Sequence, residues 1–365
     1  MFDLSDLGRL RGIGLSPALM AAFIQELQQT ALPCAEPALL RVTEVQREGL
    51  TLHDGVQPLP ARLLPAVRLQ LGAEGDAIAC GDWVLAERNA LGEWWVAHRL
   101  HPVNQLARRL HDGRDKVERV VIVSNVDTAL LVMGLDLDYS PRRLERYLAL
   151  VRMAGVAPVV VLTKKDLCPA AEERLLEVQA LLPPGAVAVA VNALGEEPRQ
   201  ALAPWLQPGQ TLVLLGSSGA GKSTLTNALL AAPVQDTGAN RAGDNRGRHT
   251  TTVRSLHATA EGACIIDTPG LRTLRLDGDA QALGAVFEDI ARLAPLCRFR
   301  DCRHEAEPGC AVREGVEAQR LRNFHKLERE ARRDTLTALE RRAQMQTWKQ
   351  RSRAAKLRMG DKRGG

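Results

Sequence analysis

The spacing of apolar and polar residues changes period several times along the chain. Ser16-Pro17 reads as an N-cap with proline at the first helical position, and Leu19, Met20, Phe23, Ile24 and Leu27 then share one stripe of a helix. Over about residues 38–100 the pattern becomes short alternating runs between turns. Leu50-Thr51-Leu52 ends at Asp54-Gly55, a hairpin signal, and the run 81–85 is followed, after the turn 89–92, by Trp94-Trp95-Val96. These runs predict a small β-barrel. Trp83, Trp94 and Trp95 fall within it, either as barrel core or as an aromatic face able to stack on a base.

From residue 120 to about 274, apolar strands at 128–133, 159–162, 187–191, 212–215 and 264–266 alternate with helical segments. That alternation predicts an α/β domain with a mainly parallel sheet. Beyond residue 283 the chain reads as helical, with a cysteine cluster, and ends in a charged stretch at about 326–358.

Composition narrows the class only modestly. The 365 residues are 45% hydrophobic and 25% charged, which suits a globular protein of two or three domains and excludes fibrous or wholly disordered chains. No apolar run approaches the roughly 18 to 20 residues needed to cross a bilayer. With no export signal, the seven cysteines are expected to be reduced, in a monomeric cytoplasmic protein. The net charge of +5 is unevenly spread: residues 341–365 carry nine Lys or Arg against Asp361, and the rest of the chain is mildly acidic. A basic tail on an acidic body fits either a polyanionic partner such as RNA or a solvated extension.

The chemistry is concentrated in a few motifs. The strand 212–215 runs into Gly216-Ser217-Ser218-Gly219-Ala220-Gly221-Lys222-Ser223, followed by a helical segment opening at Thr224. This is GxxxxGKS in its strand–loop–helix context: backbone amides wrap a phosphate, Lys222 neutralises β and γ oxygens, and Ser223 ligates Mg²⁺. A second strand ends in Asp267-Thr268-Pro269-Gly270, where Asp267 can hold the Mg²⁺ water shell and the Gly270 amide can report a γ-phosphate. Between the two lies Gly247-Arg248-His249-Thr250-Thr251-Thr252, either a threonine switch closing on the metal or a polar strand edge.

Base selection is legible too. The strand 159–162 leads into Thr163-Lys164-Lys165-Asp166, and an Asp166 carboxylate can accept from guanine N1–H and N2–H₂, a donor pair adenine does not offer. The stem of Lys164 can lie on the base, and Asn192-Ala193 after the next strand suits a loop contacting guanine O6. Cys297, Cys302, His304 and Cys310 form a closed tetrahedral donor set for structural Zn²⁺, with buried thiols as the alternative. Cys34, Cys80, Cys168 and Cys264 lack such spacing and are expected to be packed or free thiols, and the histidines other than His249 and His304 stay unassigned.

These pieces resemble a GTPase in an unusual order, with the base-reading motifs ahead of the phosphate loop. Together with a barrel in front and a cysteine cluster behind, the chain resembles the circularly permuted RsgA (YjeQ/EngC) family of small-subunit-dependent GTPases over about residues 38–324. The resemblance implies an N-terminal helical extension at 1–35, an OB-like barrel at 36–108, a permuted GTPase domain at 109–283, a zinc-binding helical module at 284–335 and a basic tail at 336–365. It also implies the 30S subunit and 16S rRNA as partners, GTP hydrolysis in late subunit assembly, His249 as the catalytic histidine, and Thr251 rather than Thr250 on Mg²⁺. Leu271 stands where Ras-like enzymes place a water-orienting Gln, so slow intrinsic turnover is expected. Thr163 replaces the family's usual Asn, whose amide ties this motif to the phosphate loop, and weaker nucleotide binding would follow. A nucleotide-gated switch acting on a non-ribosomal target is the alternative, and Asp166 disfavours an ATPase or kinase.

Overall fold

A computed structural model describes residues 4–29, 37–46, 49–111, 117–230, 254–268 and 280–335. Helices α1 (Leu4–Arg11) and α2 (Pro17–Gln29) come first, and the Ser16 hydroxyl caps α2 by accepting the Leu19 N–H at 3.2 Å. Leu19 and Phe23 are buried, with Met20 and Leu27 packed beside them; the Phe23 ring lies 6.2 Å from that of Trp83. Ile24 departs from the predicted stripe and is exposed, because the buried seam runs one position to its side through Phe23 and Leu27.

Strands β1 (Ala38–Val45), β2 (Leu50–His53) and β3 (Pro58–Leu63), helix α3 (Pro65–Ala73), and strands β4 (Trp83–Arg88) and β5 (Trp94–Arg99) follow. They close into a five-stranded barrel in the order β1-β2-β3-β5-β4, with β4 returning to β1 and β3 parallel to β5. That is OB-like topology. The Asp54 carboxylate shapes the β2–β3 turn by accepting the Val56 and Gln57 N–H groups, both at 2.8 Å. Of the three tryptophans, Trp83 is fully buried. Trp94 and Trp95 are half-buried, beneath the guanidinium groups of Arg88 and Arg62 at 5.0 and 5.9 Å.

An antiparallel hairpin that the sequence pattern does not announce, β6 (Gln105–His111) and β7 (Val117–Ser124), leads out of the barrel. The α/β domain then comprises β8 (Thr128–Gly134), α4 (Pro141–Met153), β9 (Ala157–Thr163), α5 (Ala171–Leu181), β10 (Val187–Ala190), α6 (Glu197–Leu202), β11 (Thr211–Leu215), α7 (Lys222–Leu229), β12 (Ser255–Ala258) and β13 (Cys264–Asp267). The sheet order is β10-β9-β8-β11-β13-β12, parallel throughout except for β12 at one edge. Its strands are apolar on both sides, as a sheet covered by helices on both faces requires. Leu131, Met133, Val213 and Leu215 enter one core, and Leu130, Val132, Leu212 and Leu214 the other.

Two seams attach the flanking parts. At the barrel seam Glu44 of β1 lies in register with Ser255 of β12. There the wholly buried Arg41 guanidinium donates to the Ile13 carbonyl, to the Thr211 hydroxyl at 2.9 Å and to the Asn125 carbonyl at 3.2 Å. On the other side, α10 (Ala318–Thr335) packs on α4, and α8 (Glu288–Leu293) packs against α9 (Ala311–Gly315), with Phe287, Leu321, Leu327 and Ala331 in the same core as α4. Arg320 joins Glu145 of α4 to Asp289, and Asn323 donates to the same Glu145 carboxylate. Among the described residues, no helix is long and apolar enough to cross a membrane.

Candidate functional site

The motif segments meet at the carboxyl ends of β9, β10, β11 and β13, where open α/β sheets bind ligands. β11, buried throughout, delivers the loop 216–221 to α7, whose first residue is Lys222. The Lys222 ammonium donates to the Gly216 and Ser217 carbonyls at 2.9 and 2.6 Å, and Ser223 and Thr224 follow in the first helical turn. Ser218 and Gly219 are exposed, while Ala220 is buried under the loop. Gly221 has φ +90°, and a Cβ there would sit 3.1 Å from the Thr163 hydroxyl, so this close approach needs glycine.

Thr163 is the contact that unites the site. Buried at the end of β9, it donates its hydroxyl to the Ala220 carbonyl at 2.6 Å. The threonine therefore makes its own tie between the expected base-reading segment and the phosphate loop. Lys164 adopts a left-handed φ of 62° and donates to the Gly219 carbonyl at 2.7 Å, adding a second tie. Asp166 sits in a one-turn 3-10 helix, Lys165–Leu167, and is exposed to solvent. Beside it, Asn192 is half-buried and Ala193 buried after β10.

Three carboxylates missed by the motif reading belong to this neighbourhood. Glu197 accepts the Asn192 N–H at 2.9 Å and pairs with Lys165 at 3.2 Å, so it braces the two expected base-contact segments together. Those contacts hold its carboxyl below the usual range, the Asn192 N–H contributing most. Asp136 and Asp138, after β8, reach Lys164 and Ser217 respectively. Asp-x-Asp after a strand is a signal only once that strand is known to lie beside β11.

Asp267 closes β13, in register with Ser255, and the next residue, Thr268, donates to the Leu214 carbonyl of β11 at 3.3 Å. Gly270, His249, Thr250, Thr251 and Leu271 lie outside the described residues, as do Cys34 and the tail. Cys80, Cys168 and Cys264 are free thiols, and burial pushes Cys80 up to about 12 and Cys264 up to about 11, which leaves both un-ionised.

The four expected zinc ligands do come together. The donor atoms of Cys297, Cys302, His304 and Cys310 all lie within 4.8 Å of one another. His304 Nδ1 is 3.4 Å from Cys310 Sγ and 3.6 Å from Cys297 Sγ, and those two sulfurs are 3.8 Å apart. A tetrahedron with Zn–S and Zn–N bonds of about 2.3 and 2.1 Å has edges of about 3.5 to 3.8 Å, so the residues fit the ion. His304 takes φ +60°, and His325 donates a ring N–H to its carbonyl at 3.3 Å, fixing the turn that carries the imidazole. No other histidine joins a metal-ligating group among the described residues.

A parallel sheet in which β9 and β10 precede the strand that feeds the GxxxxGKS loop defines the class: a circularly permuted P-loop GTPase. Solved structures share the fold. The chain is similar to YjeQ from Thermotoga maritima, with TM-score 0.59 and 23% identity over 81% of this chain and 99% of that one. It is likewise similar to YloQ, described as a circularly permuted GTPase, with TM-score 0.56 and 20% identity over 82% of this chain and 97% of that one. The RsgA GTPase family pattern matches residues 101–277. A small ribosomal subunit biogenesis GTPase RsgA of Xanthomonas campestris pv. campestris is 44% identical over 317 residues, 85% of this chain and 83% of that protein. The protein of the same name from Xylella fastidiosa strain M23 is 44% identical over 293 residues, 79% and 86% of the two chains. The chain belongs to the RsgA GTPase family, and it is a GTP hydrolase.

Proposed function

We propose that this protein binds GTP with Mg²⁺ at the carboxyl ends of β9–β13, hydrolyses it to GDP and phosphate, and acts in assembly of the small ribosomal subunit. The observation that carries the site assignment is the Thr163–Ala220 bond, which joins the guanine-reading segment to the phosphate cradle. In this reading Asp166 accepts from the guanine edge, Lys164 lays its stem along the base, and the 192–193 backbone contacts O6. The loop amides of residues 216–221 and Lys222 hold the phosphates at the start of α7. Ser223 and Thr251 would hold Mg²⁺, with Asp267 beside it, and the ion would supply charge neutralisation to the phosphates. His249 orients water in place of the missing Gln. Cys297, Cys302, His304 and Cys310 hold one Zn²⁺ that shapes the docking module.

The names of the relatives support the 30S subunit, with its 16S rRNA, as partner. A cytoplasmic monomer fits that role. GTP turnover with purified 30S particles, 50S particles or free RNA tests it. Selective stimulation by 30S is expected, and equal response to all three would overturn the assignment. Lys222→Ala should abolish turnover; wild-type turnover in that variant would remove the site from this loop. Elemental analysis should find one zinc per chain, lost in Cys310→Ser.

A further inference from the structure

The segment between β8 and α4 faces the GxxxxGKS loop with two carboxylates, Asp136 and Asp138, that lie outside the nucleotide motifs read from the sequence. Asp138 is largely buried; one oxygen accepts the Gly134 N–H at 3.1 Å and the other accepts the Ser217 hydroxyl and an Arg143 N–H. Asp136 accepts the Asp138 N–H at 3.0 Å with one oxygen and the Lys164 ammonium at 2.6 Å with the other. A Cβ on Gly134 would come within 2.6 Å of the Asp136 carboxylate, which would then have to shift from its present position.

Each contact acts on a group that the nucleotide reading uses. Lys164 holds a left-handed backbone conformation, and its ammonium has two fixed acceptors, Asp136 and the Gly219 carbonyl. With both ends fixed, the four-carbon stem between them has few rotamers left. Ser217 is the second residue of the phosphate loop, and its bond to Asp138 sets where the loop leaves β11. Both carboxylates are charge-compensated locally, by Lys164 and by Arg143, so they tether the loop without presenting free negative charge to a triphosphate. The Lys164 bond also holds the Asp136 carboxyl below its usual range.

We propose that Asp136 and Asp138 are positioning residues of the guanine-nucleotide site, Asp136 by orienting Lys164 beneath the base and Asp138 by fixing Ser217 at the entrance of the phosphate loop. The proposal deepens the GTP-site reading and rests on it. It implies that the base-contact segment and the phosphate loop are held by a three-point brace of Thr163, Asp136 and Asp138, the last two supplied by the segment that follows β8.

Double-mutant cycles on GDP affinity test it, with isosteric substitutions chosen to preserve the loop. Asp136→Asn is expected to weaken GDP binding about tenfold, Lys164→Ala by a similar factor, and the double variant by no more than the larger single. Asp138→Asn should weaken it several-fold and have no further effect in a Ser217→Ala background. Thermal melting of each variant separates these effects from loss of fold, and Asp136→Glu should restore part of the affinity. Unchanged affinity in Asp136→Asn, or full additivity with Lys164→Ala, overturns the proposal. Lys222→Ala and Asp166→Asn report on the site itself. If they bind GDP like wild type, the GTP-site reading fails; if they lose binding while Asp136→Asn does not, only this inference falls.

Discussion

The two seams that flank the GTPase domain use charge in opposite ways. At the barrel seam, Arg41 is fully enclosed, and among the described residues no carboxylate reaches ion-pair distance of it. Its partners are two carbonyls and one hydroxyl, its Nε has none, and burial pulls its pKa down. At the C-terminal seam, Arg320 meets Glu145 and Asp289 together, and Arg146 forks onto both oxygens of Glu330 at 2.5 and 2.6 Å. The first seam is a plug whose stability depends on packing and dipoles from three chain segments. The second is a paired network in which each charge depends on its opposite.

The contrast makes distinct mutational predictions. The largest effect is expected from Arg41→Ala, which opens a cavity and strands the Thr211 hydroxyl and two carbonyls. Urea midpoints should report about 4 kcal/mol of lost stability, and Arg41→Met, which keeps the stem, about half of that. Wild-type stability in Arg41→Met would show that the dipole contacts contribute nothing net. Arg320→Ala should cost about 3 kcal/mol by leaving Glu145 buried without its countercharge, and removing both partners as Glu145→Leu with Arg320→Met should recover most of it. Simple additivity of those changes would erase the distinction between plug and network.

A pH scan sharpens the comparison further. Asp82, buried beside the barrel seam with its carboxylate accepting the Ala79 N–H at 2.8 Å, is pushed up to about 6 by burial, only partly offset by Arg99. Its proton is held more tightly in the native chain than in the unfolded one, where a carboxyl titrates near 3.9. Stability should therefore decline as pH rises from about 4 to about 6, by roughly 2 kcal/mol from this group, and Asp82→Asn should flatten that slope. Burial raises Glu145 and Asp127 as well, so Glu145→Gln and Asp127→Asn should each flatten the slope further. The smallest change is expected at the partly exposed Arg146–Glu330 pair, where Glu330→Gln should cost about 0.5 kcal/mol and less in high salt.

Most of this architecture is written in residue periods and turn chemistry. The five parallel strands, the Asp54-Gly55 turn and the Ser16 cap follow from local pattern, and GxxxxGKS names its own loop. The cysteine spacing leads to four ligand atoms that do converge. What pattern hides is sheet order. Asp136, Asp138 and Glu197 read as surface acids until β8 is placed against β11 and β9 against β10. Ile24 fits the helical stripe in projection, yet the seam passes beside it. Trp94 and Trp95 look like a stacking face, but their own strands' neighbours Arg88 and Arg62 already lie over them.

The permuted order also dictates how the sheet must be built. β8 is buried along its full length between β9 and β11, yet chain synthesis delivers β9 and β10 first and β11 only after both. A nascent chain halted before Thr211 therefore displays an apolar strand with unpaired amides and carbonyls, an adhesive rim of the kind that recruits other chains. Adding β11 covers the β8 edge but opens a new one on its own far side, and that edge closes only when β13 pairs with β11 about fifty residues later, so the sheet is sealed only after the GxxxxGKS segment and the strand ending at Asp267 have both been made.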